Sequence, residues 1–279
     1  MRLSAIILVL MFVLVISMPF VLSHAENRPA ELKEQAQLVL FLSGILIVVI
    51  TIISLIIQKK KINGPAKVAL FLMIAAPALL ATFYVAGTTI LVNQKSITKG
   101  PVHWHADFEV WNCGRKLDLQ QPTELSNRIG TPLFHEHGDD RIHVEGVVDD
   151  YGELSLPHFF AAIGGKISDE ELVYPTDLGQ IIVTGGDQCN GRSGKIQVFV
   201  YRAVAFGDQD ADVQDSFRVI QQKLASVEEY SIAHYSSVPP GDCLIIEFDQ
   251  PKKQTERICE SYRLRTATTE AGGGDAHGR

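Results

Sequence analysis

Sequence motifs for several common chemistries are missing from this chain. It contains no GxxxxGK[ST] loop, no GxGxxG after an apolar segment and no GxSxG. Nucleotide binding and serine-dependent hydrolysis therefore have no support. The four cysteines are widely spaced, without the close pairs of a zinc knuckle, so a thiolate zinc site is disfavoured.

Positive charge is scarce in the second part of the chain. Residues 94–279 hold 18 Lys and Arg against 29 Asp and Glu, a formal charge of −11, whereas residues 1–93 carry +4. An acidic domain repels phosphate and attracts cations, so we expect no nucleic acid partner.

Charge is also nearly absent from three segments near the N-terminus. Residues 38–57 and 68–92 carry none. Because about 20 apolar residues cross the hydrocarbon core of a bilayer, we predict two transmembrane helices there, within a membrane part at 26–96. For residues 1–25, two interpretations stay open: a signal peptide, slightly favoured by the small-x-small ending at Ala25, or a first membrane helix.

Basic residues predict the orientation of these helices. The loop between the two spans holds Lys59, Lys60, Lys61 and Lys67. Positively charged loops stay in the cytoplasm, so this loop is expected inside and everything after residue 92 outside the plasma membrane.

All four cysteines lie in this outer part. An even number in an oxidising compartment predicts two disulfides, and three pairings are open. Because Cys113 and Cys189 both lie beside turn residues, we favour Cys113–Cys189 and Cys243–Cys259.

Short β-branched segments, separated by Gly, Pro, Asn and Asp, predict a β-rich extracytoplasmic domain at 97–263. The whole chain is then of the α+β class, with N-terminal membrane helices, this domain and a disordered tail at 264–279. We expect strands at 102–111, 141–148, 180–184, 195–204 and 243–248, and helices at 156–163 and 213–225.

Histidines are concentrated in the predicted strands. Five of the nine fall within the 41 residues from 103 to 143. Alternation along residues 102–111 separates an apolar face from a polar one that carries His103, His105 and Asp107. A second HxH pair precedes a predicted hairpin turn at 138–140, and the strand after that turn adds an IHVE segment.

These residues are suited to a transition metal. Imidazoles at positions i and i+2 of a strand project side by side and can share one ion. We predict zinc or copper as cofactor, with the ligands His103, His105, His135, His137 and His143. Three carboxylates, Asp107, Asp139 and Glu145, are expected to orient the rings or to act as alternative ligands.

The predicted ligands outnumber the four positions of one tetrahedral ion. Some of these residues therefore orient others, or one ion is five-coordinate, or there are two ions. The competing interpretation is a polar strand face whose histidines only form hydrogen bonds.

Four segments carry a resemblance to a known family: "HWHADFEVWNCGRKLDL", "NRIGTPLFHEHGDDRIHVEG", "GKIQVFVYR" and "VPPGDCLIIEFD". Their order resembles an uncharacterised family of prokaryotic membrane-anchored or secreted proteins with an HxHA strand, a later HxH and an IHxE strand. The resemblance covers about residues 100–250. It implies a shared extracytoplasmic domain but no established activity.

Two better-known motifs are partly similar. "HEHGDD" is similar to the HxHxDH of metallo-β-lactamase-type hydrolases, but Asp140 replaces the last histidine. "GTPLFHEHGDDRIHVEG" is similar to the first cupin motif, but its spacing from histidine to glutamate is too long. Either would imply a metal-dependent enzyme.

Three hypotheses follow from the sequence. The first is a membrane-anchored module that binds zinc or copper. The second is a metal-dependent enzyme, hydrolase-like or cupin-like, with Glu145 or Asp107 as general base. The third is a disulfide-stapled interaction module without metal. The expected partners are a metal ion and membrane lipid, together with either a second copy of the chain or a membrane protein.

Overall fold

The computed structural model describes residues 29–57, 63–123, 125, 127–205, 217–233 and 241–263. They belong to two compact units, residues 1–100 and 101–279. The predicted signal peptide or first helix at 1–25, the loop lysines at 59–61 and the predicted tail at 264–279 lie outside the described residues.

The first unit contains two long helices, α1 (Pro29–Ile57) and α2 (Gly64–Lys95). Both are long and apolar enough to cross a membrane. Their large apolar side chains are mostly exposed, among them Phe41, Phe71 and Phe83. A helix that is apolar all round and exposed fits lipid better than water. These helices include the two segments predicted to span the membrane.

Three threonine hydroxyls in the two helices form hydrogen bonds within their own helix. Thr51, Thr82 and Thr89 each donate to the carbonyl four residues earlier, at 2.7–2.9 Å. Polar groups in hydrocarbon have no water to bond, so this internal pairing suits a membrane helix. The two helices also contact each other through Tyr84 Oη and Gln35 Oε1, which are 3.4 Å apart.

The second unit is built on one large mixed sheet, as expected for a β-rich domain. Its strands follow the order β12-β11-β13-β1-β5-β4-β3, and β2 pairs with the end of β1. The β1 and β13 strands are parallel, and the other neighbours are antiparallel. The sheet strands are β1 (Pro101–Asn112), β2 (Arg115–Leu117), β3 (Ile129–Gly130), β4 (Phe134–Glu136), β5 (Arg141–Val147), β11 (Lys195–Ala205), β12 (Phe217–Lys223) and β13 (Asp242–Asp249).

Smaller elements complete the unit. A three-stranded sheet and a two-stranded one stand beside the large sheet. They consist of β6 (Lys166–Ile167), β7 (Glu171–Thr176) and β8 (Gly179–Thr184), and of β9 (Gln188–Cys189) and β10 (Arg192–Ser193). One short helix, α3 (Leu156–Ala162), confirms the helix predicted at 156–163, and 3-10 turns lie at Tyr151–Leu154 and Val227–Glu229.

The apolar face of the large sheet packs against α3. Ala106, Phe108 and Val110 are almost fully buried, and the rings of Phe108 and Phe159 meet edge to face with centroids 5.2 Å apart. Because side chains alternate along a strand, the histidines of β1 occupy the opposite face.

The C-terminal segment covers part of that opposite face. Tyr262 and Cys259 are buried against β11 and β13, in a second apolar cluster. The disulfides are Cys113–Cys189 and Cys243–Cys259, the predicted pairing, and the second one ties this segment to β13.

One secondary-structure prediction was wrong. The segment at 213–225 was expected to be a helix, but residues 217–223 form β12, which pairs with β11 from Phe217↔Ala205 to Lys223↔Phe199. The spacing of Phe217, Ile220 and Leu224 fits a helix face. The long edge of β11, however, offers a ladder of backbone partners to a segment with β-branched Val219 and Ile220.

Candidate metal centre

Three adjacent strands bring the predicted histidines together. In the register of the sheet, His105 of β1 lies opposite His143 of β5, and His143 lies opposite His135 of β4. His103 lies opposite Glu145 in the next position along β1 and β5. The β13 strand pairs with β1 only from Ala106 onward, so it does not extend beside His103 and His105.

The first group of potential ligands is His135, His137, His143 and Glu145. One ligand atom from each lies within 4.8 Å of the others. Ligands around a tetrahedral zinc ion, with bonds of about 2.0–2.2 Å, stand about 3.3–3.5 Å apart. Small side-chain rotations therefore bring these four atoms to coordination distance.

Hydrogen bonds set the tautomers of two of these rings. The Nδ1 hydrogen of His135 points to the Thr131 carbonyl at 3.1 Å, and that of His137 to the Asn127 carbonyl at 2.6 Å. A carbonyl oxygen can only accept, so the proton of each neutral ring lies on Nδ1. The lone pair is then on Nε2, the atom available to a metal.

His143 is oriented by a carboxylate. Its Nε2 lies 3.2 Å from Asp139 Oδ2, and a carboxylate likewise accepts the hydrogen. The lone pair of His143 is then on Nδ1. Asp139 thus contacts this ring in the carboxylate–histidine arrangement that accompanies many metal ligands, and its role in orienting a ligand stays a prediction.

Two of these nitrogens are buried without a partner. His135 Nε2 and His143 Nδ1 have no hydrogen-bond partner among the described residues, and the His135 side chain is 1% exposed. Leaving a buried polar atom unpaired costs about 1–3 kcal/mol. A metal ion that accepts these lone pairs removes that cost, so the residues present fit a metal.

A second group contains His103, His105 and His143. Its ligand atoms also lie within 4.8 Å of one another. The Nε2 atoms of His103 and His105 are 2.9 Å apart, and His103 Nε2 is 3.0 Å from Glu145 Oε1. This group is more open than the first, since the His103 side chain is 61% exposed.

Burial keeps several of the rings neutral. Desolvation lowers the pKa of His105 to about 4, helped by the neighbouring charges of His143 and His103. Desolvation also lowers the pKa of His135 and of His143 below the usual histidine value. Neutral imidazole is the form that binds metals, so no proton has to leave these rings at neutral pH.

The residue between the two histidines of HEH supports the site from the other face of β4. Glu136 is 1% exposed, and its Oε1 accepts from the backbone N–H groups of Asp139 and Asp140 at 2.6 and 3.0 Å. Burial raises the pKa of this carboxyl. Glu136 thereby holds the turn that carries Asp139.

A close backbone approach brings His135 into position. Gly130 pairs with His135 between β3 and β4 and has a φ of +120°. A Cβ at this position would lie 2.5 Å from Phe134 O and 2.9 Å from His135 Cα. Only glycine fits both the backbone angle and the space.

One predicted residue is placed elsewhere. Asp107 shares the polar face of β1, but its carboxylate accepts from Arg141 Nε at 2.6 Å and from Ser261 Oγ. Among the described residues, neither group of potential metal ligands contains Asp107. The C-terminal segment, which brings Ser261 over β1, accounts for this position.

Sequence analysis missed the acceptors of the inner rings. Thr131 and Asn127 act through backbone carbonyls, which leave no trace in side-chain patterns. Arg128, whose charge helps to lower the pKa of His135, was also missed. The turn-forming residues in "NRIGT" indicate a turn in this segment, but not which rings its carbonyls contact.

Comparison with family models, curated proteins and solved structures found no match to this chain. The assignment of function therefore rests on the geometry of the site.

Proposed function

We propose that this protein is a membrane-anchored extracytoplasmic protein that binds a transition metal ion, zinc or copper. The ligands are His135, His137, His143 and Glu145. The observation that carries the proposal is the buried His135 Nε2, which lacks a hydrogen-bond partner among the described residues and lies beside three other potential ligands. Imidazole nitrogen with one carboxylate is a donor set typical of zinc and copper.

Three features support the location. The helices α1 and α2 are long and apolar enough to cross a membrane. The four cysteines of the second unit pair as disulfides, which persist in oxidising compartments. Together with the lysines between the helices, they favour a second unit on the outer side of the plasma membrane.

The two candidate general bases, Asp107 and Glu145, both have other partners in the structure, and this favours metal binding over catalysis. Asp107 is paired with Arg141 and Ser261, and Glu145 faces two histidine rings as a ligand would. Both candidates for the base are thus occupied. The physiological role consistent with this arrangement is capture or delivery of the metal.

The test is metal analysis of the full chain, purified in detergent without a histidine tag and loaded with zinc or copper. We expect bound metal in the wild type and a loss of at least one ion per chain in His135→Ala. The matched control is His158→Ala, because His158 is a histidine of α3 that contacts Ser155 and belongs to neither ligand group. A wild type without metal, or a His135→Ala variant with unchanged content, would overturn the proposal.

A further inference from the structure

We infer that the histidine face of the sheet is a two-metal centre, in which the Glu145 carboxylate bridges an inner and an outer ion. The inference rests on the metal binding proposed above and adds a second site to it. The inner ion takes His135, His137 and His143. The outer ion takes His103 and His105.

The number of donors is the first argument. Five imidazoles and one carboxylate converge on this face, and each belongs to at least one compact group. A tetrahedral ion accepts four ligands, so one ion leaves two of these side chains without a role. Two ions that share a carboxylate use all six.

The two oxygens of Glu145 face different groups. Oε1 lies 3.0 Å from His103 Nε2, whereas Oε2 lies 3.8 Å from His135 Nε2. A carboxylate that bridges two ions places one oxygen on each. Ions in such centres stand about 3.5–4 Å apart, a distance that one carboxylate spans.

The outer pair has the spacing of adjacent ligands on one ion. The Nε2 atoms of His103 and His105 are 2.9 Å apart. Two nitrogens bonded to one ion at about 2.0–2.1 Å are about 2.9 Å apart at a right angle and about 3.3 Å apart at the tetrahedral angle. The two nitrogens share a hydrogen bond at this distance, so they are already at ligand separation and have to exchange that hydrogen for an ion.

Burial makes the two positions unequal. His135 and His143 are buried, whereas His103 is largely exposed. With two histidines and one carboxylate oxygen, the outer ion also keeps a coordination position for solvent or for an external ligand. We expect the outer ion to exchange quickly and the inner ion to be retained, as in a site that passes metal onward.

The test uses the full chain in detergent, dialysed to equilibrium against a buffer with a fixed free concentration of Cu²⁺ or Zn²⁺, so that a rapidly exchanging ion is also counted. Metal content gives the number of ions, and electron paramagnetic resonance of the copper form reports their distance. The variants are the outer pair His103→Ala/His105→Ala, the inner pair His135→Ala/His137→Ala, and His158→Ala as control.

The expected wild type holds two ions per chain, with a copper spectrum broadened by coupling between neighbouring ions. The outer variant is expected to hold one ion, with a sharp spectrum of full intensity. Glu145→Gln, which preserves size but lacks the bridging charge, is expected to bind the second ion about tenfold or more weakly. Because His103 is exposed, the outer variant is expected to fold, and circular dichroism checks this.

The contradicting outcomes separate the two proposals. A wild type with one ion, lost in the inner variant and kept in the outer one, would overturn the two-metal centre and leave the proposed function standing. One ion lost in both variants would indicate a single site that spans both groups and would also overturn the centre. A wild type without metal would overturn both proposals.

Discussion

His105 and His143 face each other across β1 and β5, with ring centroids 4.6 Å apart and ring planes nearly perpendicular. This pair joins the two HxH segments, because His143 also stacks on His135 of β4 at 5.6 Å. Three rings in one row across three strands form a preorganised set of nitrogen donors. Their backbone positions are fixed by the ladder of the sheet, so little ordering has to accompany metal binding.

Removal of the carboxylate that orients His143 is expected to weaken metal binding. In Asp139→Ala, Nε2 of His143 loses its acceptor, and the ring loses the contact that fixes its tautomer. Metal affinity should fall about 10–100-fold. Competition with a chelator of known affinity measures it. Asp118→Ala removes an exposed carboxylate outside both ligand groups, and equal losses in the two variants would indicate a mere charge effect.

Gly130→Ala is expected to disturb the position of His135. The new Cβ meets Phe134 O and His135 Cα at distances that force the backbone to move. We expect a loss of about 1–3 kcal/mol in unfolding free energy, with reduced metal affinity. The matched control is Gly179→Ala, which has a similar φ of +112° but no atom within 4 Å of the new Cβ. Equal stability and affinity in the two variants would show that the close approach is unimportant.

The apo protein is expected to lose stability as pH falls from about 6.5 toward 4. The pKa of His105 in the fold is about 4, below the value of about 6.5 expected for an unfolded chain. The unfolded state therefore binds more protons in this window. The contribution of neutral His105 to the unfolding free energy is full above about pH 6.5 and decreases as the pH falls toward 4. The groups that face His105 are His103, His143, Arg141 and Asp139.

Urea unfolding of the metal-free chain at several pH values between 7.5 and 4 measures this effect. For the same reason, metal should be retained somewhat below pH 6.5, where ordinary histidine ligands are already protonated. A urea midpoint that does not change over this range, or that rises as the pH falls, would contradict the neutral burial of these rings.

The Cys243–Cys259 disulfide is expected to stabilise the fold without holding the metal. It closes a loop with a sequence separation of 16 and fixes the segment that covers Asp107. Cys243→Ser/Cys259→Ser should lower the unfolding free energy by about 3 kcal/mol. Metal content should not change, because the ligands lie on β1, β4, β5 and the turn after β4. Loss of metal in a variant that remains folded would show that this segment contributes to the site.

The sequence predicted the local pattern of the site better than its assembly. Alternation along β1 separates His103 and His105 from the apolar residues, and the five predicted strands are each present within one residue of their expected ends. The pairing of His105 with His143 depends on strand register, which one strand alone does not specify. The position of Asp107 under Ser261 depends on a segment about 150 residues away in the chain.

Two other strands had interrupted or conflicting sequence patterns. The β7 strand escaped prediction because Pro175 interrupts its apolar run. For β12, helical spacing and β-branched residues favoured opposite structures, and tertiary pairing with β11 decided between them.

X-ray absorption at the metal edge of the loaded full chain tests histidine ligation most directly. We predict nitrogen and oxygen neighbours at about 2.0–2.1 Å, with the outer-shell scattering of imidazole rings and no sulfur. The imidazole scattering should decrease in His135→Ala and be unchanged in His158→Ala. Sulfur in the first shell, or a metal surrounded only by oxygen, would contradict a metal centre built from these histidines.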